Sequence, residues 1–215
     1  MSKIFLIPGL GADTRIYNNI DLAGHEVICV NWIIPDKTDT LATYAQKLVY
    51  QYHITNHCII IGNSLGGMIA VEIAKIIKVA KTVLISSIKT VDEAPWYFRL
   101  LRVLPFYKPI PGKVFTSMEF FIKPFFGHMN EADNWLFVDM LKNSSPVFLK
   151  WAMDAVLKWD NKVIPANVIQ ITGDKDLVFN YKRIKGAIIV KGGTHIMIFE
   201  KAKEVSKILK RILKK

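Results

Sequence analysis

The stretch that most constrains the fold is IIIGNSLGGMIA, residues 59–70, where a polar serine flanked by glycines divides two apolar runs. The continuous β-branched run predicts a strand that is buried on both faces and ends at Ile61. A helix is predicted to begin at Leu65, so the turn between them is very tight. Gly62 and Gly66 remove side chains that would collide there. This turn would project the Ser64 hydroxyl above the carboxyl end of the sheet.

The rest of the chain alternates between short apolar runs and amphipathic runs, which predicts strands alternating with helices. Alternation of this kind is typical of a parallel sheet with helical crossovers. The sequence therefore predicts an α/β fold with a mostly parallel sheet of about six strands flanked by helices. The predicted strands are 2–7, 26–30, 58–61, 82–85, 168–172 and 187–190, and the predicted helices are 13–19, 41–52, 65–77 and 202–214.

Residues 88–162 break this alternation, because they contain no convincing buried strand. They hold four of the five tryptophans, and prolines divide them into short pieces that favour helices. We expect a helical insertion between the fourth and fifth strands. The predicted organisation is a core of residues 1–87 and 163–215 with an insertion of residues 88–162.

A serine hydroxyl is a weak nucleophile that needs a base, usually a histidine oriented by a carboxylate. The sequence KGGTHIMI places His195 just after the last predicted strand. The sequence ITGDKDLV places Asp174 and Asp176 just after the fifth. The order along the chain is thus Ser, Asp, His.

These motifs, IFLIPGLG, GNSLGG, ITGDKD and GGTH, resemble those of the α/β-hydrolase superfamily over nearly the whole chain. The resemblance implies that Ser64 is the nucleophile and His195 the general base. A G-x-x-D pattern from Gly173 selects Asp176 as the acid, with Asp174 shaping the turn. Asp92, just past the fourth strand, occupies a position that some members use for the acid.

The resemblance also implies an oxyanion hole made of backbone N–H groups. By position its donors are Leu10, in the loop after the first strand, and Leu65, which follows the nucleophile. Family members usually carry His-Gly at the start of that loop, where this chain has Pro8-Gly9. The missing imidazole does not remove a backbone donor. The chain also starts directly at the strand before this loop, so we expect it to lack the family's two leading strands.

The insertion occupies the place of the family's cap, which roofs the active site, and it is rich in apolar side chains. Most of them are expected to fill the cap's own core, and some to face the cavity. Few fixed charges are available there, so we expect a small to medium, mainly apolar ester or thioester substrate. A ligand-binding protein or a lyase on the same fold remain open alternatives. The side chains concerned are Trp96, Tyr97, Phe98, Leu100, Leu101, Phe120, Phe121, Phe125 and Phe126, with His128 as a further candidate to line the pocket.

The net charge of +11 is concentrated near the carboxyl terminus. Residues 181–215 carry +9 of it, and the remaining 180 residues carry only +2. Val205, Ile208, Leu209 and Ile212 recur at helical spacing among lysines, which predicts an amphipathic helix with a basic outer face. A basic face of this kind can make weak contact with anionic surfaces. Nucleic-acid binding is not expected, because no binding motif accompanies the charge.

Cys29 and Cys58 have no metal-ligand spacing and are expected to be two small core residues in reducing surroundings. The N-terminal run has no cleavage site of a signal peptide, and no apolar run is long enough to cross a membrane. We therefore expect a cytoplasmic enzyme with a small-molecule substrate, without a metal or other cofactor. The sequence does not define an oligomeric state.

Overall fold

The computed structural model describes residues 3–106, 109–110, 114 and 129–214. Within them, six parallel strands form one sheet in the order β2-β1-β3-β4-β5-β6. The predicted parallel sheet of about six strands is therefore confirmed. The strands are β1 Lys3–Ile7, β2 Glu26–Cys29, β3 Ile59–Asn63, β4 Lys81–Ile85, β5 Val168–Gly173 and β6 Ile188–Val190.

Strand β3 lies in the middle of the sheet, and all five of its residues are buried. It includes Gly62 and Asn63, two residues beyond the predicted end. The turn is therefore shorter than predicted, because the strand ends at Asn63 and the next helix begins at Leu65, with only Ser64 between them.

Helices flank the sheet, and their predicted limits agree with the structure to within a residue or so. The helix predicted over 13–19 is shorter, the 3-10 helix Thr14–Tyr17, and its predicted cap is confirmed, since the Asp13 side chain accepts the N–H of Arg15. A short helix after His195 was not predicted. The helices are α1 Leu41–Gln51, α2 Leu65–Ile76, α3 Trp96–Val103, α4 Glu131–Asn143, α5 Pro146–Lys158, α6 Met197–Glu200 and α7 Ala202–Lys214.

Two apolar layers cover the two faces of the sheet. Alternate residues of each strand point to opposite faces, so Phe5 and Ile60 pack toward α1 and α2, while Leu6 and Ile61 pack toward α7. Helix α7 buries Val205, Leu209 and Ile212 and leaves its lysines outside, as predicted. Because both faces of the sheet are covered, the place left for a functional site is at the carboxyl ends of the strands.

Helices α3, α4 and α5 lie between β4 and β5 in the chain, and this confirms the predicted helical insertion. Phe98 of α3, Leu141 of α4 and Leu149 of α5 face the carboxyl end of the sheet. The division at residues 88 and 162 stays a prediction. The predictions for Phe120, Phe121, Phe125, Phe126 and His128 fall outside the described residues.

The two cysteines have different environments. Cys58 is buried, and burial raises the pKa of its thiol to about 11. Cys29 is exposed, so the prediction that it is a core residue was wrong. The reason is the position of β2 at the edge of the sheet, where helices do not cover every residue.

Along the described part of the chain, we find no helix with both the length and the apolar character that spanning a bilayer requires.

Candidate active site

The turn at Ser64 has a strained backbone that its neighbours make possible. Ser64 has φ 50° and ψ −116°, a conformation that side-chain-bearing residues rarely adopt. A Cβ at Gly62 would lie 2.2 Å from the carbonyl oxygen of Gly66, and a Cβ at Gly66 would lie 2.2 Å from that of Ile7. Both glycines are therefore required for the close approach of β3, α2 and β1.

The structure brings Ser64, His195 and Asp176 together at the carboxyl end of the sheet. The Ser64 Oγ lies 3.0 Å from Nε2 of His195. Nδ1 of the same imidazole lies 3.0 Å from Oδ2 and 3.2 Å from Oδ1 of Asp176. With Nδ1 protonated and donating to the carboxylate, Nε2 has its lone pair directed at the serine hydroxyl.

Asp176 is buried, and its carboxylate is held by the backbone as well as by the histidine. Its Oδ1 accepts the N–H of Val178 and of Phe179, each at 2.8 Å. The ring of Phe179 also packs edge-on against the imidazole of His195, with ring centres 5.5 Å apart. These contacts fix the orientation of both members of the pair.

The two other aspartates considered from the sequence lie elsewhere. Asp174 accepts the N–H of Gly192 at 2.6 Å and so shapes the loop that precedes His195. Asp92 lies in a 3-10 turn, and its backbone carbonyl accepts the Arg183 guanidinium. Asp176 is the acidic residue that the structure places against the imidazole.

Leu10 and Leu65 both line the cavity beside Ser64. Among the described residues, the backbone N–H of neither leucine donates to a protein acceptor. Leu65 is the first residue of α2, so its N–H also lies at the positive end of the helix dipole. Two free donors beside a serine hydroxyl can stabilise negative charge that develops on a substrate oxygen.

Two aromatic residues that the sequence reasoning missed brace the loop after β1. The indole Nε1–H of Trp32 donates to the carbonyl of Ala12 at 3.0 Å and lies 3.4 Å from that of Gly9. The Tyr17 hydroxyl donates to the carbonyl of Ile7 at 2.7 Å, and burial raises the pKa of this phenol, so it remains a donor. These bonds hold the loop where family members carry His-Gly. A lone Trp or Tyr has no local sequence signal for such a role.

A cavity of about 340 Å³ opens over Ser64. Its walls are almost entirely apolar, and none of the described residues that line it is charged. The polar side chains among them are Asn63, Ser64 and His195. The apolar lining comes from α2, α3, α4, α5 and three loops: Leu10, Ala12, Ile16, Leu65, Met68, Phe98, Leu101, Phe137, Leu141, Leu149, Met153, Val156, Leu157, Val178, Phe179 and Ile196.

Of the α3 side chains that the sequence offered for the cavity or the core of the insertion, some line the cavity and others are exposed. Phe98 and Leu101 line it, while Trp96 is 71% exposed and Leu100 is 47% exposed on the outer face. Tyr97 donates to the carbonyl of Val178. Burial, together with the nearby charge of Asp176, raises the pKa of its phenol. Trp96 and Leu100 thus neither face the cavity nor fill the core of the insertion.

In the described ranges, no group of three or more His, Cys, Asp and Glu side chains is arranged to hold a metal ion.

A serine, a histidine and an acid at the carboxyl ends of parallel strands, beneath a helical insertion, define the α/β-hydrolase class. The sequence model of the alpha/beta hydrolase family matches residues 4–208. The chain therefore belongs to this family, and the prediction of an α/β-hydrolase enzyme is confirmed. A search of curated proteins found no match.

Solved structures with the same fold cover nearly the whole chain at low sequence identity. An esterase from Thermogutta terrifontis is 15% identical with a TM-score of 0.77, covering 100% of this chain and 90% of that one. An esterase from Exiguobacterium antarcticum is 16% identical with a TM-score of 0.78, covering 100% and 92%. An enol-lactonase from Burkholderia xenovorans LB400 is 16% identical with a TM-score of 0.79, also covering 100% and 92%. At these identities the likeness establishes the fold alone.

Proposed function

We propose that the protein is a serine hydrolase that cleaves small to medium, mainly apolar acyl esters or thioesters through an acyl-enzyme. The observation that carries this proposal is the chain of hydrogen bonds from Ser64 through His195 to Asp176 at the floor of an apolar cavity. A nucleophile, its base and the residue that orients the base are the parts that acyl transfer requires.

In the acylation step, Ser64 Oγ attacks the acyl carbonyl carbon while Nε2 of His195 takes the hydroxyl proton. The carbonyl π electrons move onto oxygen, and the N–H groups of Leu10 and Leu65 stabilise that oxyanion. The intermediate then collapses, the bond to the leaving oxygen or sulfur breaks, and His195 returns the proton to the leaving group. Asp176 keeps the imidazole in the required tautomer and stabilises its positive form.

In the deacylation step, water replaces the leaving group. His195 takes a proton from the water as its oxygen attacks the acyl carbon, the same oxyanion site is used, and Ser64 leaves with the proton returned. The carboxylic acid product forms, and the free serine is restored.

The cavity supports the choice of substrate. Ligand cavities usually measure about 300–1,000 Å³, so a cavity of about 340 Å³ is at the small end of that range. A carboxylate on the acyl chain would have no cationic partner among the described residues that line the cavity, and burying it there would carry a large desolvation cost. The esterases and the enol-lactonase that share the fold agree with an ester substrate.

The helical insertion is proposed to act as the cap of this cavity, since α3, α4 and α5 supply much of its apolar lining. The proposed cap comprises residues 88–162, and the proposed core residues 1–87 and 163–215.

A series of p-nitrophenyl esters tests the proposal. We expect kcat/KM to be highest for short to medium unbranched acyl groups, such as butyrate and hexanoate, and to fall for palmitate. The hemisuccinate ester, which is close to the butyrate in length but charged, is expected to be at least about 100-fold poorer. Ser64→Ala gives the background rate. A preference for the hemisuccinate would refute this substrate assignment. A wild-type rate no higher than that of Ser64→Ala would refute the proposed function itself.

A further inference from the structure

The motif GNSLGG contains a third glycine, Gly67, that neither the strained turn nor the proposed chemistry requires. Gly67 lies in the first turn of α2 and faces Ser87, which follows β4. A Cβ at Gly67 would lie 2.4 Å from Oγ and 2.5 Å from Cβ of Ser87. The absence of a side chain at Gly67 therefore leaves the space that the Ser87 side chain occupies.

The Ser87 hydroxyl uses this space to contact the backbone of the nucleophile. Its Oγ–H donates to the carbonyl oxygen of Ser64 at 2.6 Å, and Ser87 is only 1% exposed. The same carbonyl accepts the N–H of Gly67 at 3.0 Å and of Met68 at 3.4 Å, so the Ser87 bond is the shortest of the three.

The Ser64 carbonyl belongs to the same planar peptide unit as the N–H of Leu65. In a trans peptide the C=O and the N–H point in opposite directions, and neither can turn without the other. A hydrogen bond that holds the Ser64 oxygen therefore also sets the direction of the N–H of Leu65, a residue that lines the cavity.

Ser87 is itself held by a buried polar network. Its own carbonyl accepts Nε2 of Gln170 at 3.3 Å, and the same Nε2 donates to Glu93 at 2.9 Å. Lys89 forms an ion pair with Glu93 and also contacts Gln170. These partners fix the backbone of Ser87 relative to β5, so the hydroxyl acts from a rigid position.

We propose that Ser87 is a positioning residue that orients the Leu65 N–H toward the oxyanion of the reaction. This role rests on the proposed function, because it concerns a charge that forms only during acyl transfer. Its effect is on the transition state and not on the bound ester, since the carbonyl oxygen gains its full charge only as the tetrahedral intermediate forms.

Ser87→Ala tests this role, and Ser86→Ala is its matched control. Ser86 precedes it, is 0% exposed, and its Oγ has no hydrogen-bond partner in the described structure. Rates are measured with p-nitrophenyl butyrate per active site titrated with a fluorophosphonate, so unfolded protein is not counted. Removing an oxyanion donor costs about 10²–10³ in kcat, so misorienting one is expected to cost about 10- to 100-fold. KM should change less than about twofold, and Ser86→Ala should retain kcat within about twofold.

A transition-state analogue gives a second readout that a general loss of stability would not reproduce. A butyl trifluoromethyl ketone adds Ser64 Oγ to its carbonyl carbon, the proton passes to His195, and the oxygen becomes an oxyanion. Its inhibition constant should rise in Ser87→Ala by about the same factor as kcat falls. The corresponding methyl ketone, a weaker electrophile that binds mainly unreacted, should lose little affinity.

Equal kcat in Ser87→Ala and Ser86→Ala, with wild type active and Ser64→Ala inactive, would overturn the role of Ser87 and leave the proposed function intact. An inactive wild type would instead refute the proposed function. If Ser87→Ala does not fold, Ser87→Thr keeps the hydroxyl. Retention of the ketone's inhibition constant within about threefold in folded Ser87→Thr supports the role, and a loss as large as 100-fold overturns it.

Discussion

Replacing Asp176 with Asn should disable the base by forcing the wrong tautomer of His195. The Oδ1 position of Asp176 accepts two backbone N–H groups, from Val178 and Phe179, each at 2.8 Å. An asparagine must therefore place its carbonyl oxygen there, because its NH₂ group would meet two donors. The NH₂ then takes the Oδ2 position, 3.0 Å from Nδ1 of His195, and donates to it. The ring proton is left on Nε2, facing Ser64.

In that tautomer, Nε2 cannot accept the proton of the Ser64 hydroxyl 3.0 Å away. The expected loss in kcat is about 10⁴-fold, the magnitude typical of an acid-to-amide change in a serine triad. This corresponds to about 5.4 kcal/mol of transition-state stabilisation. The side chain keeps its size and its backbone hydrogen bonds, so KM and the melting temperature should change little. Steady-state hydrolysis of p-nitrophenyl butyrate and a thermal melt measure these quantities.

Asp174→Asn is the matched control, two residues away in the same loop. Asp174 accepts the N–H of Gly192, and an amide oxygen can accept the same bond. We expect less than about a fivefold loss in kcat. The reasoning would be refuted if Asp174→Asn were the more damaging change, or if Asp176→Asn retained a tenth of the wild-type kcat.

Three further predictions concern the turn, its brace and the cysteines. Gly66→Ala would place a Cβ 2.2 Å from a carbonyl oxygen of β1, so it should lower the free energy of unfolding, measured in urea, by about 3 kcal/mol or more. Gly24→Ala has open space around the new Cβ and should lower it by only about 1 kcal/mol. Trp32→Phe keeps an aromatic ring but removes the indole N–H that bonds to the loop, so kcat should fall about fivefold at constant KM. An unchanged kcat would contradict this bracing role. At pH 8 the Cys58 thiol, with a pKa of about 11, is about one part in a thousand thiolate. Ellman's reagent should therefore react with the exposed Cys29 alone until guanidinium unfolds the chain. Two reactive thiols in the native protein would contradict this prediction.

Much of the fold was predictable because each strand carries a strong local signal. The β-branched run of β3 and the abrupt change at Ser64 predict a buried strand followed directly by a helix, and the structure has both. The position of His195 and Asp176 after their strands also follows, because parallel strands bring their carboxyl ends to one edge. Choosing Asp176 over Asp174 depended on the family pattern and not on a local physical signal.

The features that were missed depend on contacts between distant parts of the chain. Cys29 has an apolar neighbourhood in sequence, but its exposure follows from the order of strands, which places β2 at the edge. Trp32 braces a loop some 20 residues earlier in the chain. Ser87 contacts a carbonyl 23 residues away. Neither contact can be read from spacing, because both are set by how crossovers bring strand ends together.

The most direct test of the central claim, that Ser64 is an activated nucleophile, is labelling with a fluorophosphonate followed by mass spectrometry of the intact and digested protein. We expect one adduct per chain, located on Ser64, with labelling slowed by several orders of magnitude in His195→Ala and abolished in Ser64→Ala. Folded wild-type protein that does not react, or that reacts equally well in Ser64→Ala, would contradict it.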